Sequence, residues 1–141
     1  MIYSDNSFTH IITRTSSRYR NILSQQMSSQ GLGHITPDYR IILEVLWKED
    51  NIGIGALATR ASKDNASLTR IIDGMERNDL VQRIKSSTDG RASLIVLTSY
   101  AISIKERVEE VEQIVFERAT SGLNPIEVKE LERILLSLIH I

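Results

Sequence analysis

The chain has no cysteine among its 141 residues, which excludes disulfides, thiolate zinc sites and thiol-based redox sensing. No apolar run approaches the 18 residues that would suggest a membrane-spanning helix. The opening MIYSDNSF lacks a basic segment followed by an apolar one, so no secretory signal is expected and a cytoplasmic location is the default. Three catalytic signatures are missing: a G-x-S-x-G elbow, an H-E-x-x-H pair and a phosphate-binding loop. The histidines His10, His34 and His140 have no mutual spacing suited to a metal, and Glu109-Glu110 reads as a solvated helix face. Gly53-x-Gly55-x-x-Ala58 superficially matches a dinucleotide fingerprint, but no strand precedes it and the βαβ spacing is wrong. Neither an enzyme, nor a cofactor, nor a metal site is expected.

What remains is an ordinary globular composition, 41% hydrophobic and 25% charged. A single domain over residues 1–141 can bury roughly two thirds of its unfolded surface. The net charge of −1 argues against a nonspecific nucleic-acid coat. Its distribution is uneven. Basic and acidic residues balance over 1–51, seven basic face five acidic over 52–98, and five basic face eight acidic over 99–141. Any field that attracts phosphate lies in the middle of the chain.

That middle stretch organises the rest. Asn65–Arg77 predicts a helix in which Leu68, Ile71, Ile72 and Met75 form a core-facing stripe. Ala66, Arg70, Asp73 and Arg77 lie on the opposite side, with Ser67 and Thr69 on the flanks. A helix that opens on small hydroxylic residues and carries arginines outward can enter a DNA major groove. Two short strands, 80–84 and 94–98, follow as a hairpin with an Asp89-Gly90 turn, and Arg91 stands one step past its tip. Helix plus basic-tipped hairpin is the outline of a winged helix.

The flanks supply helices. Residues 7–30 predict an amphipathic helix, and Ser28–His34 a polar, glycine-containing break. Thr36-Pro37 caps and opens a second helix ending near 47–50. Asn51–Gly55 is a short extended connection in which Ile52 pairs at the base of the wing. A short helix runs from Ile54 to Ala61, with Arg60 outward, and Asp64 is placed to cap the next. Thr98 caps one long helix with Ile102, Val108, Val111, Ile114 and Val115 on its apolar side, stopping at Ser121-Gly122 with the glycine as C′ residue. Asn124-Pro125-x-Glu127 opens a last helix striped by Leu131, Ile134, Leu135 and Leu138. Apolar character continues to Ile141, which implies that the ends are covered, most simply by a second copy of the chain.

In this order and spacing, Leu57-Ala58-x-Arg60, Ser67-Leu68-Thr69-Arg70-x-x-Asp73, Leu80-Val81-x-Arg83 and Asp89-x-Arg91 followed by Leu97-Thr98 resemble the MarR family of bacterial transcriptional regulators, over about residues 7–138. The resemblance implies a mainly α fold with a small β-wing: a winged helix-turn-helix over 35–98, and dimerisation helices over 1–34 and 99–141. It implies a homodimer on pseudo-palindromic double-stranded DNA, acting as a repressor or activator and responsive to a small aromatic or phenolic ligand. Candidate DNA contacts are Arg60, Asn65, Ala66, Ser67, Thr69, Arg70, Arg77, Asp89 and Arg91. Arg70 is the best placed for bases, Arg77 for phosphate, and Asp89 both starts the turn and steadies Arg91. Tyr39, Arg20 and Trp47 are candidates to line an effector pocket, Trp47 being equally readable as core.

Three positions depart from the family pattern. Gly74 stands where a larger residue is common and costs up to about 1 kcal/mol of helix stability. Asp79 stands where a glycine is usual, so Asn78 or Asp79 must adopt the left-handed conformation. Gly90 leaves the wing with one tip arginine instead of two. The competing reading is a winged-helix module that binds another protein and not specific DNA.

Overall fold

The computed structural model describes residues 7–88, 90 and 92–139. In chain order the elements are α1 (Phe8–Ser29), α2 (Pro37–Lys48), β1 (Ile52–Gly53), α3 (Ile54–Ala61), α4 (Asn65–Arg77), β2 (Val81–Lys85), β3 (Ser93–Leu97), α5 (Ser99–Ser103), α6 (Lys105–Ala119) and α7 (Pro125–Leu138). The fold is mainly helical, with one antiparallel sheet in the order β1-β3-β2. Ile52 pairs with Ile95, and Val81 to Lys85 pair with Leu97 to Ser93, so the wing is tied back to the start of α3. None of the described helices is long and apolar enough to cross a membrane.

Local chemistry sets most boundaries. Thr36, Asp64, Thr98 and Asn124 each accept a backbone N–H in the first turn of the helix they precede. Asn124 and Glu127 form the reciprocal capping box, each bonding the other's backbone N–H. Asp79, not Asn78, takes the left-handed conformation after α4, at φ 56°. The strained residue is held by its surroundings: Leu80 N–H bonds to Met75 O at 2.9 Å, and the buried Thr98 hydroxyl donates to Asp79 O at 2.6 Å.

The long helix expected after Thr98 is interrupted. Ile104 (φ −91°, ψ −5°) separates α5 from α6. The Ser103 hydroxyl donates to Tyr100 O at 2.6 Å, and Ile104 N–H reaches the same oxygen at 3.1 Å. A hydroxyl competing for a backbone carbonyl bends a helix. The bend buries Ala101, Ile104, Val108, Val111 and Val115 and turns Ile102 and Ile114, both expected inward, out to solvent. Gly122 also departs from expectation, since its φ is not positive. Thr120 closes α6 instead, its hydroxyl donating to Phe116 O at 2.8 Å.

The core gathers α2, α3, α4, the sheet and the inner side of α5–α6, with Met27, Leu32 and Ile35 sealing one end. α1 lies along α6. Two apolar faces stay outside. Phe8, Ile11 and Ile12 of α1 are exposed, as are Leu131, Ile134, Leu135 and Leu136 of α7, which has no buried residue. Ile141 and His140 lie outside the described residues.

Two contacts hold α2 in place. A Cβ on Gly74 would overlap the Tyr39 hydroxyl and come within 3.1 Å of Tyr39 Cζ, so the glycine exists to let α2 and α4 approach through that ring. On the other side Arg40 joins α2 to α6: its Nε lies 2.5 Å from Glu112 Oε2. That N–H has no well-aligned acceptor, so the contact is an ion pair and not a hydrogen bond. Nη1 bonds Glu44 at 3.0 Å, and the guanidinium lies over the Trp47 ring. Burial pushes the Glu112 carboxyl above its usual range despite the arginine.

Gly74→Ala should therefore destabilise by about 1–3 kcal/mol in urea unfolding, overpacking outweighing the gain in helix propensity. Gly74→Ala/Tyr39→Phe should recover part of the loss, and a more stable single variant contradicts the close approach. A raised carboxyl pKa means that the stability Glu112 supplies is full below the ordinary carboxylate range and lost as pH rises through the raised value. Arg40→Met leaves that carboxylate without its cation. Its penalty should reach about 1–3 kcal/mol near pH 7 and shrink near pH 5. Equal penalties at both pH values contradict the pairing.

Candidate nucleic-acid interface

The buried stripe fixes how α4 is rotated. Leu68, Ile72 and Met75 are wholly buried and Ile71 is half-buried. Each full burial stabilises by roughly 1.5–3 kcal/mol. The opposite face, Asn65, Ala66, Thr69, Arg70, Asp73, Glu76 and Arg77, is exposed. The helix start is tightly capped: Asp64 accepts both the N–H and the hydroxyl of Ser67 at 2.8 Å. Those two hydrogen bonds hold the Asp64 carboxyl below its usual range, with the Arg70 charge adding to the effect. The Thr69 hydroxyl donates to Asn65 O at 2.8 Å. The two hydroxyls thus serve the helix's own backbone and cap while sitting on its outer flanks.

The arginines divide into two kinds. Arg70 and Arg77 have no ion-pair partner among the described residues, so both guanidinium groups face solvent. Arg60, at the end of α3, is paired with Glu49 just past α2. Arg60 borders a cleft of about 760 Å³ that also takes in Ile41, Leu136 and Ile139, apart from the exposed face of α4. Asn65, Ala66, Ser67, Thr69, Arg70 and Arg77 share one helix; Arg60 is set aside from them. Asp89 and Arg91 lie outside the described residues; Gly90 beside them is exposed, with open space about it.

One residue on this face carries no signal of its role in its spacing. Arg83 reaches from β2 to α4, with Nη2 2.7 Å from Asp73 Oδ1 and 3.4 Å from Thr69 O, and Nη1 on Glu76. Its only mark in the sequence is the basic position in Leu80-Val81-x-Arg83, which says nothing of a partner ten residues earlier. Lys63, in the turn before α4, is held by Asp38 of α2 at 3.0 Å.

Behind the face, Trp47 resolves as a packing residue. Its Nε1–H donates to Ala101 O at 3.1 Å, joining α2 to α5. Tyr39 sits against Gly74 and borders an open cleft of about 520 Å³ beside α4. Arg20 lines a separate cleft of about 400 Å³ between α1 and the start of α2, with Ser17, Asn21, Ser24 and Pro37. In the loop between α1 and α2, His34 stacks on Tyr100 and meets its hydroxyl at 2.7 Å.

Residues 37–93, from the start of α2 to the start of β3, match the model of the MarR family. The chain is 30% identical over 100 residues to the HTH-type transcriptional regulator MgrA of Staphylococcus aureus, spanning 71% of this chain and 67% of that protein. Its fold is similar to that of a cysteine-to-serine variant of Escherichia coli MarR complexed with operator DNA, at TM-score 0.81 and 24% identity over 92% of this chain and 91% of the other. It is also similar to the PcaV transcriptional regulator of Streptomyces coelicolor in complex with its natural ligand, at TM-score 0.82 and 15% identity over 94% and 92%. With the winged-helix geometry and these matches together, the chain belongs to the MarR family of transcriptional regulators.

Proposed function

We propose that this regulator is a cytoplasmic, non-enzymatic homodimer that binds pseudo-palindromic double-stranded DNA. In this reading residues 35–98 engage DNA and residues 1–34 and 99–141 form the dimer. Each α4 enters a major groove and each wing tip lies over the flanking minor groove. The observation that carries this is the rotation of α4: its apolar stripe is buried, and two arginines without an ion-pair partner among the described residues stand on the free face. Asn65, Ala66, Ser67, Thr69 and Arg70 face the bases, and Arg77 meets phosphate. Arg60 approaches the backbone from the side once released from Glu49. Arg91, steadied by Asp89, enters the minor groove, where a narrow A·T-rich segment attracts arginine.

The exposed faces of α1 and α7 support the homodimer. A second copy covers Phe8, Ile11, Leu131 and Ile134 in one step, and a closed two-fold pair is the commonest way to do so. The cleft holding Arg20 lies where α1 meets α2, so a small aromatic acid paired with that guanidinium would bear on both parts of the molecule.

The test is a binding titration on the intergenic DNA upstream of the protein's own gene, repeated across salt and against a random duplex. A dimer neutralising about 6–10 phosphates should lose on the order of 10³-fold in affinity or more between roughly 50 and 200 mM salt. Arg70→Ala should cost about 1–3 kcal/mol on the specific duplex and less on the random one. Arg91→Ala should weaken binding several-fold and lower the salt slope by about one for each arginine–phosphate pair removed. Weak, sequence-blind binding would reject the reading and favour a protein-interaction module.

A further inference from the structure

α4 is electrically neutral as a segment. Its two arginines, Arg70 and Arg77, are balanced by Asp73 and Glu76, and all four side chains are exposed. Left to itself, such a helix pairs its own charges. Asp73 stands three residues after Arg70 and four before Arg77, the two spacings at which helix side chains meet. The structure contains neither pair. Both acids are taken by Arg83 of β2, whose planar fork bonds Asp73 and Glu76 at once and leans on Thr69 O. The Arg83 side chain is the most covered of the three, 27% exposed against 48% for Asp73 and 36% for Glu76.

We propose that Arg83 is a positioning residue for DNA recognition, turning the neutral face of α4 cationic by occupying its two carboxylates. This rests on the DNA-binding reading above. Arg83 acts in two ways. Its one positive charge, shared between two carboxylates, leaves three arginines against two acids, so the face that meets phosphate is cationic and like-charge contact, which is costly, is reduced. It also withdraws the intrahelical partner that would compete with DNA for Arg70 and Arg77. The third charge comes from the wing's first strand, so the sheet sets the charge of the helix as well as its position. Arg83 makes no contact with DNA in this scheme.

Four proteins test it: the parent, Arg83→Gln, Asp73→Asn/Glu76→Gln and the triple variant. Each is titrated against the upstream intergenic duplex and a random duplex at several salt concentrations, with a thermal melt. Arg83→Gln should bind about tenfold more weakly or worse, a factor that corresponds to about 1.4 kcal/mol. The acid-neutralised protein should bind within a few-fold of the parent, and the triple variant should return to that level. If Arg83 were only a clamp holding wing to helix, neutralising the acids would break it equally and weaken binding as much as Arg83→Gln; that result overturns the proposal. A loss from Arg83→Gln that is as large in the neutralised background means direct phosphate contact and overturns it too. Should Arg83→Gln lose its cooperative melt, Arg83→Lys takes its place. It should bind at an intermediate level that rises on adding Asp73→Asn, and no rise overturns the proposal. A parent protein without salt-dependent DNA binding rejects the DNA-binding reading itself, a separate failure.

Discussion

The rotation of α4 about its own axis is the constraint on which the rest of the structure depends. Leu68, Ile72 and Met75 can be buried together in only one orientation, and that orientation puts Arg70 and Arg77 outside. Turning the helix by one residue, about 100°, would expose part of the stripe at roughly 1.5–3 kcal/mol for each side chain moved into solvent. The surrounding elements refine this single fact. Asp64 sets where the helix begins, and Asp79 ends it in a left-handed turn held by Thr98. Tyr39 sets how near α2 may come, and Gly74 is the gap that receives it.

Electrostatics works on a narrow margin here. The chain carries a net charge of −1, so attraction to DNA has to come from arrangement and not from total charge. Several cations are committed within the protein: Arg40 to Glu112 and Glu44, Lys63 to Asp38, Arg60 to Glu49, Arg83 to Asp73 and Glu76. Apart from Arg40–Glu44, these pairs join different elements; except for the largely covered Arg40–Glu112 contact, their value lies in geometry more than in stability, since exposed pairs contribute about 0–1 kcal/mol each. Among the described residues Arg70 and Arg77 of α4 have no ion-pair partner, while Arg83 holds the two acids of that helix.

Much of this is legible in the sequence because it is local. Helix caps are written within three residues of the backbone groups they satisfy, which is why Asp64, Thr98 and the Asn124–Glu127 box are where expected. The bounds of α3 and α4 follow from periodicity and punctuation. The break at Ile104 does not, because Ser103 is a neutral helix residue until its hydroxyl finds the Tyr100 carbonyl. The stripe of one straight helix puts Ile102 and Ile114 inward, and the bend moves them outward. The commitments of Arg60 and Arg83 are tertiary contacts, seven to eleven residues apart, that no spacing encodes. Gly74 reads as a weakness of α4 in the sequence; the structure gives its reason in Tyr39, on a different helix.

The proposed arrangement ties together two things that sequence and structure approach separately, the outward face of α4 and the uncovered apolar faces of α1 and α7. Hydroxyl-radical footprinting of the complex on the upstream intergenic duplex tests both in one measurement. Two protected half-sites are expected on the same face of the duplex, centred about one helical turn, roughly 34–36 Å, apart, with minor-groove protection flanking them. A single protected patch, or two patches on opposite faces of the duplex, would contradict a two-fold dimer that presents two α4 helices to adjacent major grooves.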